Sequence, residues 1–252
     1  MNEAGAGQSG FGNWLRKLLP AETGHERRCP ICSAVYRTEL PESLLCPACA
    51  AALPRRRLGY CPRCGELAAW PLLPLSLCAR CLRKPPPWEG LVFHGAYEGL
   101  LRSLLIQLKF HDHVLVGYVL GSLLARHPNL SGLEVDVIAP VPLHRKRLAH
   151  RGYNQSLELA RPLARRLDRP LAPRLLRRAR ATKSQSGISR EERKTNIREA
   201  FTGSRDARGK HVLLVDDTLT TGATMADAAR ALLLAGAAGV SVAVVGRTAL
   251  HY

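Results

Sequence analysis

Aromatic side chains, acidic residues and long apolar runs are all scarce in this sequence of 252 residues. Phe, Trp and Tyr make up only 5% of the chain although 46% of it is hydrophobic, so we expect a core of aliphatic side chains. No apolar run is long enough to span a bilayer. The first ten residues lack a basic segment followed by an apolar core, so we expect no secretory signal and a cytoplasmic location.

The shortage of acidic residues leaves the chain strongly basic. There are 37 Lys and Arg against 20 Asp and Glu, which gives a net charge of +17 and a pI near 10.2. Arginine matches phosphate oxygens with two parallel donors, so this excess favours a polyanion partner such as nucleic acid. A solvated surface in an arginine-rich proteome is the alternative.

Cysteine is absent except between residues 29 and 81, where eight cysteines form four Cys-x-x-Cys pairs separated by 13, 11 and 13 residues. Two such pairs supply the four thiolates of a tetrahedral Zn²⁺ site. We therefore predict two structural zinc sites, the first four cysteines forming one and the last four the other, although interleaved pairing stays open. The predicted ligands are Cys29, Cys32, Cys46, Cys49, Cys61, Cys64, Cys78 and Cys81.

Two other uses of these cysteines compete with zinc. A disulfide framework is disfavoured because thiols stay reduced in the cytosol. An iron–sulfur cluster is disfavoured by the repeated two-residue spacing of all four pairs. Four thiolates leave no open coordination position, so the predicted role of each zinc ion is structural.

The order of these features predicts the domain organisation. Residues 1–28 form a tail, residues 29–83 a tandem zinc-ribbon module and residues 91–252 an α/β domain, with the stiff sequence RKPPPWE at residues 83–89 marking the boundary. Apolar runs predict buried parallel strands and helical spacing predicts the helices between them. The predicted strands are 91–97, 135–139, 212–215 and 240–246, and the predicted helices are 98–110, 114–126, 155–167 and 224–235. The last strand should lie beside 212–215 after a right-handed crossover.

The most informative stretch is VLLVDDTLTTGAT, residues 212–224. A buried strand is followed by two carboxylates, a loop of hydroxyl and small residues, and a helix start. Backbone N–H groups at a helix start bind phosphate, and adjacent carboxylates suit ribose hydroxyls or a hydrated Mg²⁺. An ordinary capped strand–loop–helix turn would need one hydroxyl and no acidic pair.

This stretch resembles the phosphoribosyl diphosphate signature of the type I phosphoribosyltransferases. The resemblance implies that fold, with Mg²⁺ and phosphoribosyl diphosphate as ligands. It gives Asp216 and Asp217 the ribose hydroxyls and a catalytic role. The implied phosphate and ribose site also contains Thr218, Thr220, Thr221, Gly222, Ala223 and Thr224.

Two further segments are assigned by their position in that family. The basic residues Arg145, Lys146 and Arg147 follow a buried strand, where the diphosphate is held; a solvated basic loop is the alternative. The polar segment 184–198 corresponds to a flexible catalytic lid, for which Lys183, Gln185 and Arg190 are candidates and Lys183 is the predicted catalytic residue. A plain surface hairpin is equally compatible with that segment.

A wider resemblance is to the ComF family of competence-associated proteins. It is carried by YEGLLRSLLIQLKF at residues 97–110, PVPLHRKRLAHRGYNQSLELA at 140–160 and RATKSQSGISREERKTNIREAF at 180–201, together with the cysteine pairs. The resemblance implies a role in natural transformation, single-stranded DNA as a partner, and contacts with other competence proteins.

One position departs from the type I pattern. Many base-using members carry a carboxylate two residues before the loop glycine, and here Thr220 stands there. A hydroxyl cannot act as a general base at neutral pH. Two hypotheses follow: a DNA-handling protein that binds phosphoribosyl diphosphate, and an active transferase with an unidentified acceptor.

Overall fold

The computed structural model describes residues 24–40, 43–110, 113–178 and 200–249. They fall into two compact units, one ending at Cys46 and the other beginning at Pro47. In the first unit, β1 (His25–Arg28) and β2 (Val35–Thr38) pair in antiparallel fashion. The boundaries predicted at residues 28, 83 and 91 stay predictions.

The second unit is built on a four-stranded sheet in the order β3-β8-β7-β4, with every neighbouring pair parallel. These strands are β3 (Gly90–Ala96), β4 (Val137–Pro140), β7 (His211–Leu219) and β8 (Gly239–Arg247). All nine residues of β8 are buried, as expected for a strand covered on both faces. The predicted parallel α/β sheet is confirmed, including the pairing of the last strand with the strand before the acidic pair.

The four longer helices of this unit agree with the predicted ones to within one residue at each end. Two short helices, α1 (Pro47–Ala51) and α2 (Ala79–Arg83), precede the sheet. The longer ones are α3 (Gly99–Phe110), α4 (Val114–Ala125), α6 (Gln155–Leu167) and α7 (Ala223–Leu234). None of the helices in the described ranges has the length and apolarity that crossing a bilayer requires.

Two elements differ from the sequence prediction. The basic loop after β4 contains a short helix, α5 (Arg145–Arg151), which the His144 side chain caps by accepting from the Lys146 N–H and which Gly152 ends at φ 77°. The strands β5 (Leu176–Arg178) and β6 (Phe201–Gly203) form a separate antiparallel pair. Each is only three residues long, too short to show an alternating pattern in the sequence.

Strand β7 is also longer than predicted. It continues past Val215 through the acidic pair to Leu219 because β8 runs beside it, pairing Val244 with Asp216 and Gly246 with Thr218. Its other neighbour, β4, stops where Pro140 pairs with Val215. The acidic pair therefore lies on the part of β7 that pairs with β8 alone. Its other side is open toward a cleft.

Helices α4 and α6 pack closely because α4 carries glycine at the contact. A Cβ added to Gly121 would lie 2.5 Å from the Leu159 carbonyl oxygen of α6, a distance that real contacts do not reach. This packing matters for the site, because α6 begins with residues that contact the acidic pair.

We expect Gly121→Ala to destabilise the protein by about 1–2 kcal/mol. The clash is with backbone atoms, so overpacking should cost about 2–3 kcal/mol, of which a gain of about 1 kcal/mol in helix propensity offsets a part. The matched control is Gly132→Ala, where the nearest atom to the new Cβ is 3.8 Å away. Thermal unfolding measures both variants. A melting temperature for Gly121→Ala equal to that of Gly132→Ala would contradict the close approach.

Candidate functional site

A cleft of about 390 Å³ opens at the carboxyl ends of β4 and β7, the edge at which parallel α/β sheets bind ligands. It brings together the acidic pair, most of the predicted phosphate loop, the start of α6 and several cations. The polar and charged residues that line it are Lys109, Arg147, His150, Arg151, Gln155, Ser156, Arg178, Asp216, Asp217, Thr218, Thr220 and Thr224.

The acidic pair is held by the first residues of α6 and by α3. The Asp216 carboxylate accepts from the Ser156 hydroxyl at 2.7 Å and from the Asp217 backbone N–H at 2.9 Å. The Asp217 carboxylate accepts from the Gln155 amide at 3.2 Å and pairs with the Lys109 ammonium at 3.3 Å. Asp217 is only 4% exposed, so these partners offset the cost of burying its charge.

Lys109 connects the acidic pair to the loop that follows it. Besides pairing with Asp217, its ammonium donates to the Thr218 hydroxyl at 3.2 Å, and that hydroxyl donates to Asp217 at 2.8 Å. The ammonium also lies 5.9 Å from the centre of the Tyr97 ring. The sequence assigns Lys109 no role in the site, because its position against the acidic pair depends on tertiary packing.

The two carboxylates are not equivalent. Burial, and then repulsion from Asp217, raise the pKa of Asp216 to about 7, although the Ser156 hydroxyl and Lys109 act in the opposite direction. Near neutral pH, Asp216 is therefore close to its midpoint. A cation or a hydroxyl donor bound beside it would favour the ionised form.

The start of α6 is fixed by Asn154. Its side-chain oxygen caps the helix by accepting from the Ser156 N–H at 3.1 Å, while its amide donates to the Val141 carbonyl at 3.1 Å. Arg151 donates to the Gln155 side chain at 2.7 Å, which orients the amide that contacts Asp217. The family resemblance did not assign Asn154, Gln155 or Ser156 to the site, although Asn before a helical stripe is a recognisable cap.

The phosphate loop turns at Gly222, which has φ 80° and is the N-cap of α7. This left-handed conformation strains any side chain, which explains the glycine. Of the predicted loop residues, Thr218, Thr220, Gly222, Ala223 and Thr224 line the cleft. Thr221 lines a neighbouring cavity, and its hydroxyl accepts from the Ala223 N–H at 3.4 Å.

The structure separates the three cations predicted to hold the diphosphate. Arg147 lines the cleft, whereas Arg145 and Lys146 are exposed on α5 and do not contribute to its lining. Arg151 and Arg178 line the cleft instead, along with Lys109. Burial, and then the charge of Arg147, lower the pKa of the Arg178 guanidinium. Two like charges that line one cleft favour an anion between them.

The lid candidates Lys183, Gln185 and Arg190 lie outside the described residues. On the two sides of that segment, Arg178 of β5 pairs with Phe201 of β6. Arg178 at the end of β5 is thus the last described residue before that segment, and it lies in the cleft.

The eight cysteines form two groups of four in sequence order, and within each group the sulfur atoms lie within 4.8 Å of one another. The order agrees with sequential rather than interleaved pairing. Burial raises the pKa of Cys61, but donation by the backbone N–H groups of Cys78, Cys64 and Arg63 lowers it overall to about 7. Converging thiols with one poised to ionise fit a divalent metal such as Zn²⁺.

Comparison with known proteins agrees with this geometry. The model of the phosphoribosyl transferase domain family matches residues 154–248, from the cap of α6 to just beyond β8. The DNA utilization protein YhgH of Salmonella typhimurium is 41% identical over 209 residues, which cover 81% of this chain and 90% of that protein. Competence protein F of Haemophilus influenzae is 31% identical over 208 residues, covering 79% and 88%.

A solved structure with partial similarity is the glutamine phosphoribosylpyrophosphate amidotransferase from B. subtilis. It is 27% identical, covers 51% of this chain and 25% of its own, and has a TM-score of 0.36, too low to support a conclusion.

The raised pKa of Asp216 predicts a stability that falls with pH. Asp216 stays protonated up to about pH 7 in the folded state but only to about pH 4 in the unfolded chain. Its protonation therefore stabilises the fold fully below pH 4, and this stabilisation is lost as pH rises through 7. An Asn side chain at position 216 does not titrate. At pH 8, the free energy of unfolding of Asp216→Asn should therefore exceed that of the native protein by about 2 kcal/mol or more. Urea unfolding from pH 5 to 8 measures this.

The control is Asp168→Asn, an exposed residue with φ 50° at which Asn is tolerated. It should keep the pH dependence of the native protein. The same pH dependence in Asp216→Asn would show that the Asp216 pKa is not raised.

Proposed function

Because the chain belongs to the ComF family, we propose that it acts in the cytoplasm on incoming DNA, binding phosphoribosyl diphosphate with Mg²⁺ in the cleft and single-stranded DNA on its basic surface. The observation that carries the proposal is the joining of an acidic pair, a threonine-lined helix start and four cations in one cleft of about 390 Å³. Two of the similar proteins are named for DNA utilization and for competence.

Each part of the cleft suits one part of the sugar phosphate. The start of α7 and the hydroxyls of Thr220 and Thr224 would bind the 5′-phosphate. Asp216 and Asp217 would accept from the ribose hydroxyls. Arg147, Arg151 and Arg178 would surround the diphosphate.

The residues present also fit Mg²⁺, which prefers carboxylate and phosphate oxygens and when bound would neutralise the diphosphate. The two cysteine groups fit one structural Zn²⁺ each, since each offers four thiols and no other ligand type.

Transfer of the ribose phosphate to an acceptor is the second candidate function. The cations in the cleft favour it, because they would stabilise the diphosphate released when the bond from ribose C1 breaks and the acceptor bonds to C1. Thr220 at the position of the usual carboxylate argues against it, because the proton of the acceptor then has no base there. Diphosphate release with bases, amines and single-stranded DNA as acceptors separates the two functions.

Saturating phosphoribosyl diphosphate with Mg²⁺ should raise the melting temperature by several degrees, since a ligand at 100 times its Kd stabilises by about 2.7 kcal/mol. Asp217→Asn should abolish the rise, because it removes the buried charge that faces the ribose. Asp168→Asn is the matched exposed control and should show the native shift. No shift in the native protein, or an equal shift in Asp217→Asn, would reject the site.

Single-stranded DNA binding should weaken steeply with salt, because each contacted phosphate releases condensed counterions. We expect α5 to supply part of this surface, since Arg145 and Lys146 are exposed there beside the cleft. Replacing both with Ala should reduce the slope of log K against log salt by about 1.4, at about 0.7 per phosphate contact. Fluorescence anisotropy at several salt concentrations measures the slope.

The matched control replaces two exposed cations, Arg208 and Lys210, just before β7 at the opposite edge of the sheet. That pair should leave the slope closer to the native value. A native slope near zero, or equal losses in both double variants, would contradict the proposed surface.

A further inference from the structure

Arg247, the last residue of β8, is a charged side chain that is only 1% exposed. One of its terminal nitrogens donates to the Leu219 carbonyl at 2.9 Å, to the Thr220 carbonyl at 2.6 Å and to the Thr248 carbonyl. Leu219 and Thr220 are the residues at which β7 passes into the phosphate loop. Arg247 therefore holds the loop from the inside of the protein.

The remaining donors of Arg247 reach the second cysteine group. Its Nε donates to the Cys64 carbonyl at 3.1 Å and its other terminal nitrogen to the Glu66 carboxylate at 2.9 Å. Glu66 also lies 3.8 Å from Arg80, which stands between Cys78 and Cys81. One buried side chain thus spans from the cysteine group formed by residues 61–81 to the phosphate loop.

A second side chain makes the same connection independently. The Trp88 indole N–H donates to the Arg63 carbonyl at 2.8 Å, inside the Cys61–Cys64 pair. The far edge of its ring lies 3.4 Å from the position that a Cβ on Gly222 would take. Trp88 is 2% exposed, so it is a packed link between this cysteine pair and the turn of the loop.

The contacts of Arg247 determine which way the loop amides point. A trans peptide is planar, with its C=O and N–H on opposite sides. Because the carbonyls of Leu219 and Thr220 point at Arg247, the N–H groups of Thr220 and Thr221 point away from it. N–H groups aligned in this way are the donors that a phosphate needs.

We infer that the second cysteine group positions the phosphate loop through Arg247, so that metal binding at Cys61, Cys64, Cys78 and Cys81 and sugar phosphate binding in the cleft strengthen each other. The inference rests on the proposed binding of phosphoribosyl diphosphate. Without metal, the turn at Cys64 keeps its backbone hydrogen bonds but is no longer tied to Cys78 and Cys81, so the Cys64 carbonyl and Glu66, two acceptors of Arg247, are held less firmly. The buried Arg247 guanidinium then turns toward other acceptors, and its hydrogen bonds to the Leu219 and Thr220 carbonyls weaken.

Calorimetry with Mg²⁺ and phosphoribosyl diphosphate tests this coupling on the zinc-loaded chain and on two cysteine variants. Cys78→Ser removes a ligand of the second group, and Cys32→Ser is its counterpart in the first group. Coupling between two binding sites is mutual and commonly changes affinity by about 5–150-fold. We therefore expect Cys78→Ser to weaken the binding of phosphoribosyl diphosphate about tenfold or more, and Cys32→Ser to weaken it by less than about twofold. Metal analysis and circular dichroism verify the loss of one zinc and the retention of fold in each variant.

The second measurement needs no cysteine variant. Saturating phosphoribosyl diphosphate with Mg²⁺ should slow the capture of one of the two zinc ions by a zinc-selective chromogenic chelator. Arg247→Lys keeps the charge but not the planar set of donors, so it should lose this protection while Arg102→Lys, an exposed control, retains it.

The outcomes are distinguishable. A native protein that does not bind the sugar phosphate would overturn both the proposed function and the inference. Native binding with equal affinity in a folded Cys78→Ser, or zinc release that the sugar phosphate does not slow, would overturn the inference alone.

Discussion

Two adjacent carboxylates at the end of a buried strand repel each other, and much of the second unit is arranged around that repulsion. Lys109 comes from α3 and Gln155 and Ser156 come from α6, so two helices far apart in sequence must pack correctly before the pair is tolerated. The glycine contact between α4 and α6 helps set that position. Burial, and then the charge of Asp217, raise the pKa of Asp216, which leaves the pair ready for a cation or for hydroxyl donors.

The strongest local pattern, residues 212–224, indicated the acidic pair and the loop because an ordinary turn needs neither adjacent carboxylates nor several hydroxyls. Sequence periodicity also gave the four parallel strands and the long helices, since buried strands and amphipathic helices differ in period. These features are local, and local features can be recognised without knowing what packs against them. The resemblance to the type I phosphoribosyltransferases then connected them into one fold.

The rest of the site could not be obtained in this way. Lys109 and Arg151 are ordinary basic residues in the sequence and become site residues only through tertiary packing. The helix α5 turns Arg145 and Lys146 outward and Arg147 inward, a distinction that a loop assignment cannot make. Arg247 gave no signal at all, because its partners Cys64, Glu66 and Leu219 lie up to 183 residues away.

The position of Thr220 suggests why binding and catalysis need not go together here. Its carbonyl is held by Arg247 and it lines the cleft. On the proposed function, Thr220 therefore helps to bind the phosphate while offering no base. On the proposed function, α5 carries cations for both ligands: Arg147 and Arg151 face the diphosphate and Arg145 and Lys146 face the DNA. Two polyanions that share one short helix affect each other through its charge and position. A sugar phosphate that is bound but not consumed would then regulate DNA binding. Such regulation requires the loop and the cations that bind the sugar phosphate, but it does not require a general base.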